Sequence, residues 1–274
     1  MPTIARTAAE LRAATVGTVA LVPTMGALHD GHVSLMEQAR PLAQTLVVSI
    51  FVNPTQFAPG EDLDAYPRTF EADLARCDAA GVDVVFAPSV EEMYPAGLDG
   101  AITIDPGPLG AVLEGAQRPT HFRGVLTVVA KLFGLVRPDV AVFGEKDYQQ
   151  LALIRLMSRE LRLGVEVVGC PTVREVSGLA MSSRNQYLTD SERERAAAIS
   201  AALRSGVAAG AEGADAVLTA AVKILADAGI DPDYLVLTSP DLGPVQPTGE
   251  ARLLVAARVG KPRLLDNISV TLGA

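Results

Sequence analysis

Short apolar runs rich in β-branched residues recur through the first two-thirds of the chain, each followed by a stretch with helical spacing. TVALVPTM (18–25) reads as a buried strand that ends in a Pro- and Gly-containing turn, and TLVVSIFV (45–52), VDVVFAP (82–88), VAVFG (140–144) and VEVVG (165–169) read as further strands. Helical spacing covers 33–43, 70–80 (closed by Gly81), 124–136 (stopped by Pro138) and 147–161 (ended by Gly164). Strands interleaved with helices of this length imply a parallel sheet built from right-handed βαβ crossovers. The last hundred residues differ. An Ala-rich helix pair (190–206 and 213–228) precedes DYLVLTS, ARLLVAARV and LLDNISV, which lack intervening helices and predict an antiparallel α+β subdomain beginning near Pro171.

Composition narrows the function classes. With 49% hydrophobic and 20% charged residues, the chain is neither disordered nor a coiled coil. Its 23 Lys and Arg against 32 Asp and Glu give a net charge of −9, which repels nucleic-acid phosphates and makes a poor non-specific nucleic-acid binder while leaving room for a local basic pocket for a small anion. Cys77 and Cys170 stand 93 residues apart (170 − 77), so they form neither a disulfide scaffold nor a zinc spacing. Arg6, Glu10 and Arg12 interrupt any secretory apolar region at the N-terminus, and no apolar run reaches the length of a bilayer span. A cytoplasmic protein without membrane partners is expected.

In an open parallel sheet, ligands bind beyond the carboxyl ends of the strands, where the strand order reverses. The unusual polar residues fall there. HDGH (29–32) places two of the chain's three histidines around Gly31 at a turn opening a helix, itself a site suited to anions. Gly26 and Gly31 allow close backbone approach to a ligand. Two solvent-exposed loop histidines are the plain alternative, and no third ligand with zinc spacing is visible. GEKD (144–147) follows another strand: Lys146 can offset phosphate charge, with carboxylates able to hold ribose hydroxyls or Mg²⁺, unless this is an ordinary charged loop. MSSRN (181–185) offers two hydroxyls and a bidentate arginine for phosphate, or else a helix cap, a role that Thr189 and Asp190 already fill. Gln56 and Gln150, at strand ends, suit a substrate carrying hydroxyl and carboxylate groups. The dinucleotide, P-loop and nucleophile-elbow glycine motifs are all absent.

The H-x-G-H loop and the later Met-Ser-Ser-Arg loop resemble the HIGH and KMSKS elements of a nucleotidyltransferase superfamily, with Arg184 where a lysine is usual. PTMGALHDGH, FVNPTQF, THFRGV, FGEKDYQQL and AMSSRN, in this order, resemble the pantothenate synthetase (pantoate–β-alanine ligase) family from about Val19 to Asn267. The resemblance implies an α/β fold, a Rossmann-like parallel sheet with a smaller C-terminal α+β domain. It divides the chain into a nucleotide- and pantoate-binding domain (1–172) and a lid domain (173–274).

It further implies ATP-dependent ligation of pantoate and β-alanine through a pantoyl adenylate, with Mg²⁺ on the ATP phosphates, in a homodimer. ATP falls on Met25, Gly26, Ala27, Leu28, His29, Asp30, Gly31 and His32, on Gly144, Glu145, Lys146 and Asp147, and on Val173, Met181, Ser182, Ser183 and Arg184. Among these, His29, His32, Lys146 and Arg184 are the expected catalytic set. Gln56 and Gln150 fall on pantoate positions, and Gln56 also faces β-alanine; the metal ligands stay unassigned. Two rivals call for other residues. An adenylyl transferase acting on a phosphate acceptor needs extra basic groups where Gln56 and Gln150 stand. A catalytically silent nucleotide binder should have lost a histidine or Lys146, and all three are present.

Overall fold

A computed structural model describes residues 1–58, 60, 61 and 63–273. The chain divides into two compact units: Met1–Gly144 with Gln149–Cys170, and Glu145–Tyr148 with the chain from Pro171 onward. In the first, the strands are β1 (Thr3–Ala5), β2 (Val19–Thr24), β3 (Thr45–Ile50), β4 (Val84–Phe86), β5 (Val140–Gly144) and β6 (Glu166–Cys170). The longer helices are α1 (Ala8–Ala14), α2 (Asp30–Ala39) and α3 (Phe70–Ala79). After the single turns α4 (Val90–Met93) and α5 (Glu114–Gln117) come α6 (His121–Val136) and α7 (Tyr148–Glu160).

All pairings in this sheet are parallel, in the order β1-β4-β3-β2-β5-β6. Its strands read as near-continuous apolar runs because both faces are covered. Alternation sorts them. Leu21, Val47, Val84, Phe86, Ala141 and Phe143 pack with Leu11 of α1, Phe122 and Leu132 of α6, and Ile154 of α7. Their neighbours Ala20, Val22, Leu46, Val48, Val85, Val140 and Val142 pack with Met36 of α2 and with Leu74 and Cys77 of α3. From β2 the chain moves outward through β3 and β4, then crosses back to place β5 on the other side of β2. The strand order therefore reverses between β2 and β5, and the segments leaving those two strands begin with Met25 and Glu145.

The second unit carries α8 (Asp190–Ala208), α9 (Ala214–Asp227) and an antiparallel sheet of β7 (Pro232–Thr238), β8 (Gly249–Arg258) and β9 (Arg263–Leu272). Ile199 and Leu203 of α8 and Val217 and Leu225 of α9 bury one sheet face together with Leu253, Val255 and Val270. The parallel sheet and the antiparallel C-terminal sheet agree with the fold class read from the sequence.

The sequence reading does not mark β1, α1, α4 or α5, and the remaining differences lie at element ends. α2 starts at Asp30 and α6 at His121, each three residues earlier than the apolar spacing indicates (33 − 30 and 124 − 121). Asp30–His32 holds no apolar residue, and in His121–Arg123 the lone apolar Phe122 sets no period. Among the described residues, no helix is long and apolar enough to cross a membrane.

Candidate active site

The predicted residues Met25–His32 follow β2 directly. Thr24 donates its hydroxyl to Ser49 O (2.7 Å) and accepts the Gly26 N–H (3.2 Å). Gly26 sits at φ +81°, and a Cβ there would lie 3.0 Å from Asp73 Oδ2, so a side chain would be strained by its backbone conformation and crowded against that carboxylate. Ala27 follows at φ 50°. Asp73, in the first turn of α3 and only 2% exposed, accepts the N–H of Ala27 (3.0 Å), the N–H of Leu28 (2.8 Å) and the Thr69 hydroxyl (3.2 Å). That carboxylate holds the left-handed turn in place.

His29 then caps α2. Its Nδ1 accepts the Gly31 N–H (3.1 Å), the His29 N–H donates to His32 Nδ1 (3.3 Å), and the ring centroids lie 4.1 Å apart. An accepting Nδ1 carries no proton, so each neutral ring bears its proton on Nε2. The two imidazoles are thereby set as Nε2–H donors at the positive end of a helix dipole.

Gln56 is buried in the turn after β3. Its Oε1 accepts from Asn53 Nδ2 (3.2 Å), and its Nε2 donates to Met25 Sδ (3.0 Å), which brings the Gln56 and Met25 predictions together. Asn53 Oδ1 in turn accepts from Tyr94 Oη (2.7 Å). The turn rests directly on α6 at Gly124, where any Cβ would meet Thr55 O at 2.4 Å. His121 donates from Nδ1 to Gln56 O (3.0 Å), since a carbonyl can only accept. Arg118 pairs with Glu61 (2.5 Å), and this guanidinium holds the Glu61 carboxyl below its usual range against the opposing effect of burial. Gln150 is half-buried in the first turn of α7. Its neighbour Gln149 is committed to structure, donating to Leu109 O and Val112 O (both 2.8 Å) and accepting the Glu114 N–H (3.0 Å).

In the second unit, Glu145–Asp147 form one 3₁₀ turn after Gly144. Lys146 Nζ lies 3.6 Å from Asp147 Oδ1, with the lysine side chain 21% exposed. Arg252 pairs with Glu145 (2.9 Å), and Asn267 Nδ2 donates to the carbonyls of Glu145 and Lys146 (both 2.9 Å). The other predicted segment is pinned by its backbone: Met181 N–H donates to Val173 O (2.9 Å) and Arg174 bridges Ala180. Ser182 Oγ accepts the Arg184 N–H (3.2 Å), opening the 3₁₀ turn Ser183–Tyr187. Buried Asn185 donates to Glu175 (2.8 Å) and to Ala180 O (3.0 Å). Thr189, with Glu192, caps α8, so that cap is supplied without the serines of MSSRN.

Sequence reading missed Asp73, Asn53, Tyr94, Arg118, Arg252, Asn267 and the third histidine, His121. THFRGV and FVNPTQF were in view as motifs, but pairings across tens of residues have no local signal. Among the described residues, no group of three or more His, Cys, Asp or Glu could hold a metal ion. The arrangement is rich in fixed donors for anionic oxygens.

The family model described as pantoate-beta-alanine ligase matches residues 2–269. A pantothenate synthetase of Nocardia farcinica is 60% identical over 258 residues, covering 94% of this chain and 80% of the relative. One from Saccharopolyspora erythraea is 58% identical over 262 residues, covering 95% and 86%. The crystal structure of pantothenate synthetase from Thermus thermophilus superimposes with a TM-score of 0.93 at 48% identity, covering 97% of this chain and 98% of that one. Pantoate-beta-alanine ligase from Francisella tularensis, complexed with beta-gamma ATP and beta-alanine, gives 0.81 at 35% identity, covering 98% and 97%.

Proposed function

The chain belongs to the pantoate–β-alanine ligase family, and on that premise we propose which of its residues carry each part of the reaction. The enzyme ligates pantoate to β-alanine at the expense of ATP. A pantoate carboxylate oxygen attacks the α-phosphorus of ATP, pyrophosphate leaves, and pantoyl adenylate forms. The β-alanine amine then attacks the acyl carbon, and pantothenate and AMP leave.

The first step moves negative charge onto the α-phosphate and the departing pyrophosphate, so it needs donors fixed where that charge develops. His29 and His32 are assigned to this task as Nε2–H donors, with Lys146 and Arg184 as the cationic partners of the phosphates. The Met25–His32 backbone, Gly144–Asp147, Val173 and Met181–Arg184 are assigned to ATP. Gln56 and Gln150 are assigned to pantoate, because uncharged amides match hydroxyl and carboxylate oxygens without neutralising phosphate. Gln56 is assigned to β-alanine as well. No covalent enzyme intermediate is required, since positioning alone supplies roughly 7–11 kcal/mol of such a barrier.

Mg²⁺ accompanies ATP in this reading. When bound, it screens the β- and γ-phosphates. Residues 1–172 are proposed to bind nucleotide and pantoate and residues 173–274 to serve as a smaller lid domain, in a cytoplasmic homodimer.

The observation that carries the assignment is the paired capping of His29 and His32, which fixes both tautomers before any ligand arrives. Mass spectrometry of products from ATP, Mg²⁺, pantoate and β-alanine, omitting each in turn, tests the reading. Pantothenate should appear only from the complete mixture, with AMP formed alongside it. No pantothenate from the complete mixture, or pyrophosphate release that does not depend on pantoate, would overturn it.

A further inference from the structure

We propose that Asn267 is a positioning residue for adenylyl transfer, acting through the backbone of the turn that carries Lys146; this rests on the assignment of Lys146 to the ATP phosphates. Asn267 lies on β9, 121 residues from Lys146 (267 − 146) and 3% exposed. Its Nδ2 donates to two consecutive carbonyls, Glu145 O and Lys146 O, both at 2.9 Å. Two bonds from one amide to adjacent carbonyls fix the peptide plane between them, and with it the direction in which the Lys146 side chain leaves the turn.

The amide is itself held on its other edge. Its Oδ1 accepts from Arg252 Nε (2.7 Å), whose Nη2 continues to Glu145 Oε2 (2.9 Å) and whose guanidinium lies 4.0 Å from the Tyr148 ring centroid. The neighbouring Asp266 takes Arg174 through two bonds (2.5 and 2.9 Å) and accepts the Asn267 N–H (2.7 Å). The amide thus spends both of its donors on this turn, and one acceptor lone pair on the arginine that also pairs with Glu145. The chemistry is specific to an amide. An aspartate of the same shape would turn an anionic oxygen toward two carbonyl oxygens, and an alanine would leave both carbonyls unpaired in a buried place. A lysine on a flexible four-carbon stem gains most from such anchoring, because misplacing a catalytic group by 1 Å can cost about 10²-fold in rate.

The test is a double-mutant cycle on the full-length enzyme, read as pyrophosphate–ATP exchange with pantoate and Mg²⁺. Asn267→Ala and Asn267→Asp should each slow exchange by about 10²-fold while leaving the pantoate KM near wild type. In the Lys146→Ala background, Asn267→Ala should add little further loss, because the group it positions is already gone. Leu253→Ala, a core truncation in β8, is the structural control: it should lower Tm yet keep the wild-type exchange rate per folded molecule. If Asn267→Ala does not fold, Arg252→Lys enters the same cycle, since it frees the Asn267 amide while keeping a cation beside Glu145. Full additivity in the double variant, or a rise in pantoate KM matching the rate loss, would overturn the positioning role while the Lys146 assignment stands. Wild-type exchange by Lys146→Ala alone would remove that assignment and the proposal with it.

Discussion

His29 donates its backbone N–H to Nδ1 of His32 at 3.3 Å, so each histidine's proton position is tied to the geometry of the helix start they share. His29 therefore has two separable duties, capping α2 and offering Nε2–H. Asparagine is a good N-cap but has no equivalent of Nε2. His29→Ala should lower stability by about 1 kcal/mol and also slow adenylation. His29→Asn should recover most of the stability in a denaturant titration while remaining about 10²–10³-fold slow. Recovery of activity along with stability would reduce His29 to a cap.

Asp73 offers a second separation. Its two oxygens accept two backbone N–H groups and one hydroxyl, so Asp73→Asn must turn an amide donor toward at least one existing donor. The isosteric change should cost about 1–3 kcal/mol in unfolding free energy, as expected when buried partners lose their acceptor. It should also slow turnover at temperatures well below Tm, because Ala27 and Leu28 set the approach to His29. Normal turnover per folded molecule would show that the turn holds its shape without this carboxylate.

Cys77 lies four residues after Asp73 (77 − 73) on α3, and burial, with a smaller contribution from the Asp73 charge, pushes its thiol up to about 12 from an ordinary 9.0. Above pH 9.0 the unfolded chain releases this proton while the folded one keeps it to about 12, so stability falls as pH rises through that window. Urea unfolding of wild type and Cys77→Ala at pH 8 and pH 10 should show a steeper alkaline loss in wild type. A thiol-alkylating reagent should leave Cys77 of the native protein unmodified at pH 8. Parallel pH dependence of the two proteins would contradict the buried-thiol account.

Much of this architecture is legible in the residues themselves. Val140–Gly144 forms a strand over the residues its apolar run marks, because a strand buried on both faces has no competing period. β1 escapes notice because Thr3–Ala5 is three residues long and its companion signal, the Thr7–Glu10 capping box of α1, is local to the helix. α2 begins early because a histidine, rather than the usual Ser, Thr, Asp or Asn, serves as its cap. The groups proposed to meet substrate sit in compact strings such as HDGH and GEKD. The groups that hold them do not: Asp73 meets Ala27 across 46 residues, and Asn267 meets Lys146 across 121. Such partners follow from topology, which only the folded chain displays.

The central claim is that His32 and Lys146 act while pantoate is being adenylated, before β-alanine is needed. Exchange of labelled pyrophosphate into ATP, measured with pantoate and Mg²⁺ but no β-alanine, isolates that step. Wild-type enzyme should exchange, and folded His32→Ala and Lys146→Ala should each exchange about 10²–10³-fold more slowly. Exchange that appears only when β-alanine is added, or wild-type exchange by both variants, would contradict the account.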